Sequence, residues 1–389
     1  MRVINTESIP IKLWLDYLEE GAEQQARNMA NHPFAFHHVA IMPDAHQGYG
    51  MPIGGVLALK DEISPNAVGV DIGCGMCAVK TNLKFSNFKR KRLERIIEII
   101  RNTIPVGFNW NSSPDKSCMP ERNKENKYFP VLSEQYERAT YQIGSLGGGN
   151  HFLEIQSDNN DFIWLMVHSG SRNLGKIVAE YYNNAAKELN KIRDYIIPPS
   201  WDLYSLPINS LEGRQYQAEM EYCIKFALAN RQKMMGKMQD AFSKVIKTVE
   251  FEPIINIAHN YANLEEHFGK KVFVHRKGAT SAKKGETGII PGSQGTSSYI
   301  VKGKGNVESF FSCSHGAGRK MGRGRARREL DLKREIEFMD RKKIIHSLTT
   351  RKDLDEAPGA YKNIDTVMAN QQDLVEILVK LTPIAVIKG

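Results

Sequence analysis

The sequence predicts an α+β fold: one large domain, 1–389, of mixed sheets with surrounding helices enclosing a central metal pocket. Three observations lead there. Apolar runs of strand length and amphipathic stretches of helix length both recur, without the regular alternation that a doubly wound parallel sheet requires. Residues able to bind a metal run from Asp71 to His315; if they meet, the chain between them folds as one unit. The length of 389 residues, 41% of them hydrophobic, suffices for a sizeable core.

The elements follow in order. Residues 36–41 read as a strand, and PDAHQGYGMPIGG after it as a loop too rich in glycine for a helix. Residues 56–59 and 68–70 read as short strands bounded by turns, which puts Asp71 and Cys74 at a strand end. Residues 91–101 place Leu93, Ile96, Ile97 and Ile100 on one helical face. Residues 106–130 are polar and weakly patterned, a long surface loop. The apolar strand 162–167 runs into His168, and 176–193 is helical. Residues 215–249 hold the longest helical pattern, with a break expected near Gly236. Short strands and glycine turns alternate over 271–301, and 333–345 is helical. Asp365 is read as the N-cap of a last helix reaching residue 380, with Val367, Met368, Leu374, Val375 and Leu378 inward. Pro383 then leads a terminal strand, IAVIKG.

Composition narrows the function classes. The net charge of +9 is compatible with a polyanionic partner such as RNA. Its dense basic runs are 84–92 and 319–328. Five cysteines make no disulfide framework, so a reducing, cytoplasmic setting is expected. No apolar stretch approaches the ~20 residues of a membrane span, and the N-terminus lacks the apolar core of a signal peptide.

Five segments carry chemistry: Asp71 and Cys74 in VGVDIGCGM, His151 in GGGNHFLE, His168 in MVHSGSR, His259 in NIAHNYA and His315 in SCSHGAGR. Carboxylate, thiolate and imidazole together suit Mn²⁺, Zn²⁺, Fe²⁺ or Co²⁺ better than Mg²⁺, and a thiolate can bridge two ions. Taken singly, Cys74 reads equally as a small buried side chain and His259 as a hydrogen-bonded core histidine. Cys74 and Cys77 form a C-x-x-C without the second pair of a zinc ribbon. The three glycines before Asn150 and His151 expose N–H groups to a phosphate, and Arg172 can grip one bidentately. His315, ahead of Gly316-Ala317-Gly318, is a nucleophile, a further metal ligand or a turn residue. His46 in PDAHQGYG stays open, and the remaining histidines read as ordinary packing or surface residues.

Taken together, PDAHQGYG, PIGGV, VGVDIGCGM, GGGNHF-E, HSGSR, HNY, RKGA-SA, G-IPGS-G, SHGAGR, AYK-ID-VM and the terminal KG resemble the RtcB family of RNA ligases, over about nine-tenths of the chain. The resemblance implies a dinuclear Mn²⁺ pocket, with Cys74 bridging both ions, Asp71 and His151 on one, and His168 and His259 on the other. It implies that His315 becomes guanylylated from GTP. Asn150, Glu154, Ser293, Gly316, Ala317, Gly318, Tyr361 and Lys388 match positions around the guanine nucleotide, and Arg172 a position for RNA phosphate. The implied reaction joins an RNA 3′-phosphate or 2′,3′-cyclic phosphate to a 5′-hydroxyl, in some members with an archease-like activator. Two other readings are a metal-dependent phosphodiesterase acting on cyclic phosphate RNA ends, which needs no His315, and a non-catalytic RNA-binding module, which needs no ligand set.

Overall fold

Side-chain parity along the strands decides which residues form the core and which face the site. The computed structural model describes residues 1–122, 129–194 and 196–389. Its largest sheet runs in the order Ile255–Ala258, Gly75–Lys84, Phe162–Ser169, Phe152–Asp158, Val375–Lys388, Ser298–Gly303, Thr287–Ile290, every neighbouring pair antiparallel. Alternate residues point to opposite faces of a strand. One face presents Cys77, Val79, Leu153, Ile163, Leu165, Val167 and Ile387 to two helices. Helix Arg90–Thr103 contributes Leu93, Ile96, Ile97 and Ile100 there, and Leu211–Val245 contributes Met234, Met235, Met238 and Phe242. Each such buried side chain stabilises the packing by about 1.5–3 kcal/mol. The other face carries Met76, Ala78, Trp164 and Met166. His168, Glu154 and Lys388 share its parity, through the pairs Met76 with His168, Glu154 with Met166 and Lys388 with Phe152.

A six-stranded sheet stands beside it in the order Arg2–Ile4, Ile11–Leu13, Ala35–His46, Ile53–Leu59, Lys270–Lys277, Asn260–His267. Helix Glu20–Ala30 covers one face, burying Ala22, Ala26 and Met29 against Val39, Ile41, Leu57 and Leu59. The opposite face packs Ala40, Met42, Val56 and Val274 against Phe310, Cys313, Ala317 and Val367. Asp44 continues the parity of Ala40 and Met42, towards the short antiparallel pair of Ala279–Ser281 with Ser312–Ser314, which is followed directly by His315. Among the described residues no helix is long and apolar enough to cross a membrane.

The mixed α+β class expected from the sequence is the one observed. Several local expectations are corrected. Strand Ala35–His46 continues through Pro43 and Asp44, where a loop was expected; its ladder is irregular between Ile41 and His46, so the missing proline N–H is tolerated. Residues Pro65–Val68 form a helical turn with proline at its start, not a strand, so Asp71 and Cys74 precede strand Gly75–Lys84 rather than ending one. Helix Leu211–Val245 passes Gly236 unbroken. The last helix spans only Ile364–Ala369, capped by the Asn363 side chain rather than Asp365. Residues expected to continue it begin strand Val375–Lys388 instead. Part of the expected loop over 106–130, namely 123–128, lies outside the described residues.

Candidate functional site

The turn before strand Gly75–Lys84 is closed by the Cys74 N–H donating to Asp71 O at 3.1 Å. It places the two side chains together. Cys74 Sγ then lies 3.4 Å from Nε2 of His151 and 3.4 Å from Nε2 of His168. His168 Nε2 is 3.4 Å from His259 Nε2, and His151 Nε2 is 2.9 Å from Asp71 Oδ2. Two groups of three ligands result, Asp71–Cys74–His151 and Cys74–His168–His259, each with its ligand atoms within 4.8 Å of one another. Cys74 belongs to both. Five residues read separately in the sequence therefore meet, and Cys77, of opposite parity to Met76, goes to the helix-covered core instead.

The outer contacts orient the rings. His151 Nδ1 donates to Leu146 O at 3.1 Å and His168 Nδ1 to Asn150 O at 3.2 Å, which turns the Nε2 lone pairs inward. Burial, reinforced by neighbouring imidazoles, holds His168 and His259 well below the usual histidine range. Burial, with Asp71 beside it, pushes the Cys74 thiol well up. Three imidazoles, one thiol and one carboxylate form a donor set that suits a borderline divalent cation, whose charge favours the thiolate.

His315 stands against this centre, its ring 4.9 Å from that of His259. Its Nδ1 lies 2.6 Å from Oδ2 of Asp44, which is 0% exposed. The same oxygen accepts the N–H of His315 at 3.1 Å and of Gly316 at 3.2 Å. Burial alone raises the Asp44 carboxyl, but the hydrogen-bonded His315 ring, with His46 and Lys362 nearby, outweighs it and holds the carboxyl below its ordinary value. With Nδ1–H committed to Asp44, Nε2 carries the free lone pair. Gly318 follows at φ +71°, where any Cβ would overlap the Asp44 carbonyl.

A cavity of about 730 Å³ opens from His315 and the ligand groups. Its walls include Asn150, Ser293, Gly316, Ala317, Gly318, Tyr361 and Lys388. Glu356, missed in the sequence, is the hub of the far wall: it meets Arg319 at 3.1 Å, Arg323 at 3.2 Å and Lys388 at 3.8 Å, and accepts the Tyr361 hydroxyl. Glu154 lies behind the wall with Gln156, and burial pushes its carboxyl well up, towards the neutral form. Arg172 is likewise off the cavity wall; its guanidinium donates to Gly107 O at 2.9 Å. Of the basic run 319–328, Arg319 and Arg323 reach the cavity, whereas Arg325 pairs with Glu329 and Arg327 with Asp355.

Comparison with known proteins shows the family to which the chain belongs. A family profile described as "tRNA-splicing ligase RtcB" covers residues 25–130 and 112–389. The chain is similar to the RNA-splicing ligase RtcB of Escherichia coli (strain K12), 38% identical over 413 aligned positions that span 100% of this chain and 99% of that protein. It is 34% identical to the tRNA-splicing ligase RtcB of Thermococcus kodakarensis, over 94% of this chain and 90% of the relative. With the tRNA-splicing ligase RtcB of Aeropyrum pernix it shares 32% identity, over 96% and 94% of the two chains.

Proposed function

The chain belongs to the RtcB family and is an RNA ligase, and on that premise we propose that it joins RNA 3′-phosphate or 2′,3′-cyclic phosphate ends to 5′-hydroxyl ends through a guanylylated His315. The observation that carries the reading is the Asp44–His315 pair, which leaves Nε2 of His315 free beside two metal-ligand groups sharing Cys74. A phosphodiesterase needs no such oriented imidazole.

The chemistry runs as follows. Nε2 of His315 attacks the α-phosphorus of GTP, a P–N bond forms and the bond to pyrophosphate breaks. Asp44 stabilises the positive charge that develops on the ring. Asp71, Cys74, His151, His168 and His259 fit two divalent cations, proposed as Mn²⁺, which when bound neutralise charge on the phosphates. Asn150, Ser293, Ala317, Tyr361 and Lys388 are assigned to hold the guanylate, with Glu154 behind them. A cyclic phosphate is first opened by water to a 3′-phosphate. An oxygen of that phosphate then takes GMP from His315, breaking the P–N bond. The 5′-hydroxyl oxygen attacks the 3′-phosphorus, its proton is lost, and GMP leaves with the bonding pair. Arg172 is assigned to RNA phosphate.

A single ligase domain over 1–389, a cytoplasmic setting and an archease-like activator belong to the same proposal. Near-complete coverage of the relatives supports the first and five unpaired cysteines the second; the third rests on the family resemblance alone. The test is a joining assay with GTP, Mn²⁺ and two RNA oligonucleotides. A 3′-phosphate and a 5′-hydroxyl should yield one longer strand. Joining of a 3′-hydroxyl to a 5′-phosphate instead would refute the end chemistry.

A further inference from the structure

The cavity wall includes residues to which the guanylate assignment gives no role. Among them are Gln47, Tyr49, Asn66, Val70 and Lys277, none of which the proposed mechanism uses. Tyr49 is 78% exposed although it lines a cavity and sits in a pinned segment. Gly48 exchanges hydrogen bonds with the Gln25 side chain at 3.0 and 2.7 Å, and the Glu19 carboxylate accepts the Gln47 N–H. The Tyr49 carbonyl accepts the Met51 N–H at 2.8 Å and an N–H of Lys277. Lys277 is only 7% exposed and gives a second N–H to Asn66 O at 3.1 Å. The next residue, Gly278 at φ +59°, backs onto the His315 ring: a Cβ there would stand 3.0 Å from His315 Cε1. One short segment, Lys277-Gly278, therefore fixes both the Tyr49 backbone and the wall behind the reacting imidazole.

A fixed backbone with an exposed aromatic ring on a cavity wall is what nucleobase stacking requires, because the ring loses little freedom on binding. An ammonium with one N–H left beside it suits the phosphate that accompanies a base. We propose that Tyr49 is the stacking platform for the terminal nucleobase of an RNA strand, seated on the part of the cavity wall that Lys277 and Gly278 join to His315. The proposal rests on the ligase reading, since that reading supplies the RNA. It adds the residue that holds a strand end in line with the reacting atoms.

The test compares wild type with Tyr49→Ala, Tyr49→Phe and Tyr49→Leu. GTP labelling of His315 involves no RNA and reports on both folding and the ligase reading; if wild type takes no label, that reading fails before the Tyr49 proposal is reached. Given labelling, binding is measured separately for an oligonucleotide ending in a 3′-phosphate and for one beginning with a 5′-hydroxyl. Tyr49→Ala and Tyr49→Leu should weaken one of the two by roughly 5- to 150-fold, the range for loss of one stacked base, while Tyr49→Phe binds as wild type. The strand affected identifies the end. The same comparison is repeated with an abasic terminal nucleotide, for which the Tyr49→Ala effect should vanish. Unchanged binding of both strands, equal loss in Tyr49→Phe, or an effect that persists on the abasic strand would overturn the proposal.

Discussion

Asp44 holds His315 by a single carboxylate oxygen, Oδ2, which lies 2.6 Å from the imidazole Nδ1 and also accepts the backbone N–H groups of His315 and Gly316. Ring and backbone are thus fixed to one point, with the ring 4.9 Å from that of His259. Asp44→Asn keeps the shape but removes the charge and allows the wrong tautomer. His315 labelling from GTP should slow by about 10²–10⁴-fold, as expected for loss of the carboxylate behind a reacting histidine. Single-turnover labelling checks this; a change of less than about threefold would show that Asp44 only packs.

Cys74 is the residue shared by the two ligand groups. Cys74→Ala should therefore reduce binding of both ions, whereas His259→Ala and Asp71→Ala should each weaken one. Mn²⁺ titration followed by electron paramagnetic resonance gives the stoichiometry directly. Two ions retained at full affinity in Cys74→Ala would contradict a shared thiolate.

Glu356 gathers Arg319, Arg323, Tyr361 and Lys388 on one wall. Those cations, and burial, act in opposite senses on its carboxyl, and the cations win, holding it below the usual range. Glu356→Gln should weaken GTP binding about 10-fold or more, since hydrogen bonds to charged groups contribute ~1.5–3 kcal/mol each. Equilibrium binding of GTP is the measurement, and unchanged affinity would leave Glu356 a purely structural residue.

Away from the site, Glu265 forms a buried pair with Arg276 and accepts from His267 at 3.0 Å. Burial alone raises its carboxyl, but His267 and Arg276 outweigh it and hold it at about 2. A depressed carboxylate contributes stability that is complete above its unfolded value, near ~4.3, and is lost as pH falls towards the folded value. Denaturant unfolding should show this loss between about pH 4.3 and pH 2. Glu265→Gln should cost about 3–5 kcal/mol at pH 7, because it strands a buried arginine, and should flatten the acid limb. An equally steep acid limb in the variant would place the titration elsewhere.

Much of the candidate site was legible because its ligands occupy distinctive glycine-flanked segments, and the helices that bury Leu93 or Met235 follow a clear 3.6-residue period. Asp44 was not, because proline beside glycine-rich sequence reads as a loop; only the irregular ladder lets strand Ala35–His46 carry it to His315. The end of the chain misled for a different reason. Val367, Met368, Leu374, Val375 and Leu378 mimic helical spacing, yet Val375, Ile377 and Val379 pair with Ser298–Gly303. Sheet pairing overrode the apparent period, leaving Leu378 48% exposed. Glu356 gave no signal at all, since its role depends on cations drawn from distant parts of the sequence.

The most direct test of the central claim is incubation with α-³²P-GTP and Mn²⁺, wild type beside His315→Ala, followed by a denaturing gel. A labelled wild-type band that is absent from the variant is the expected result. An unlabelled, folded and Mn²⁺-loaded wild-type protein, or equal label on both proteins, would contradict His315 as the residue that carries GMP.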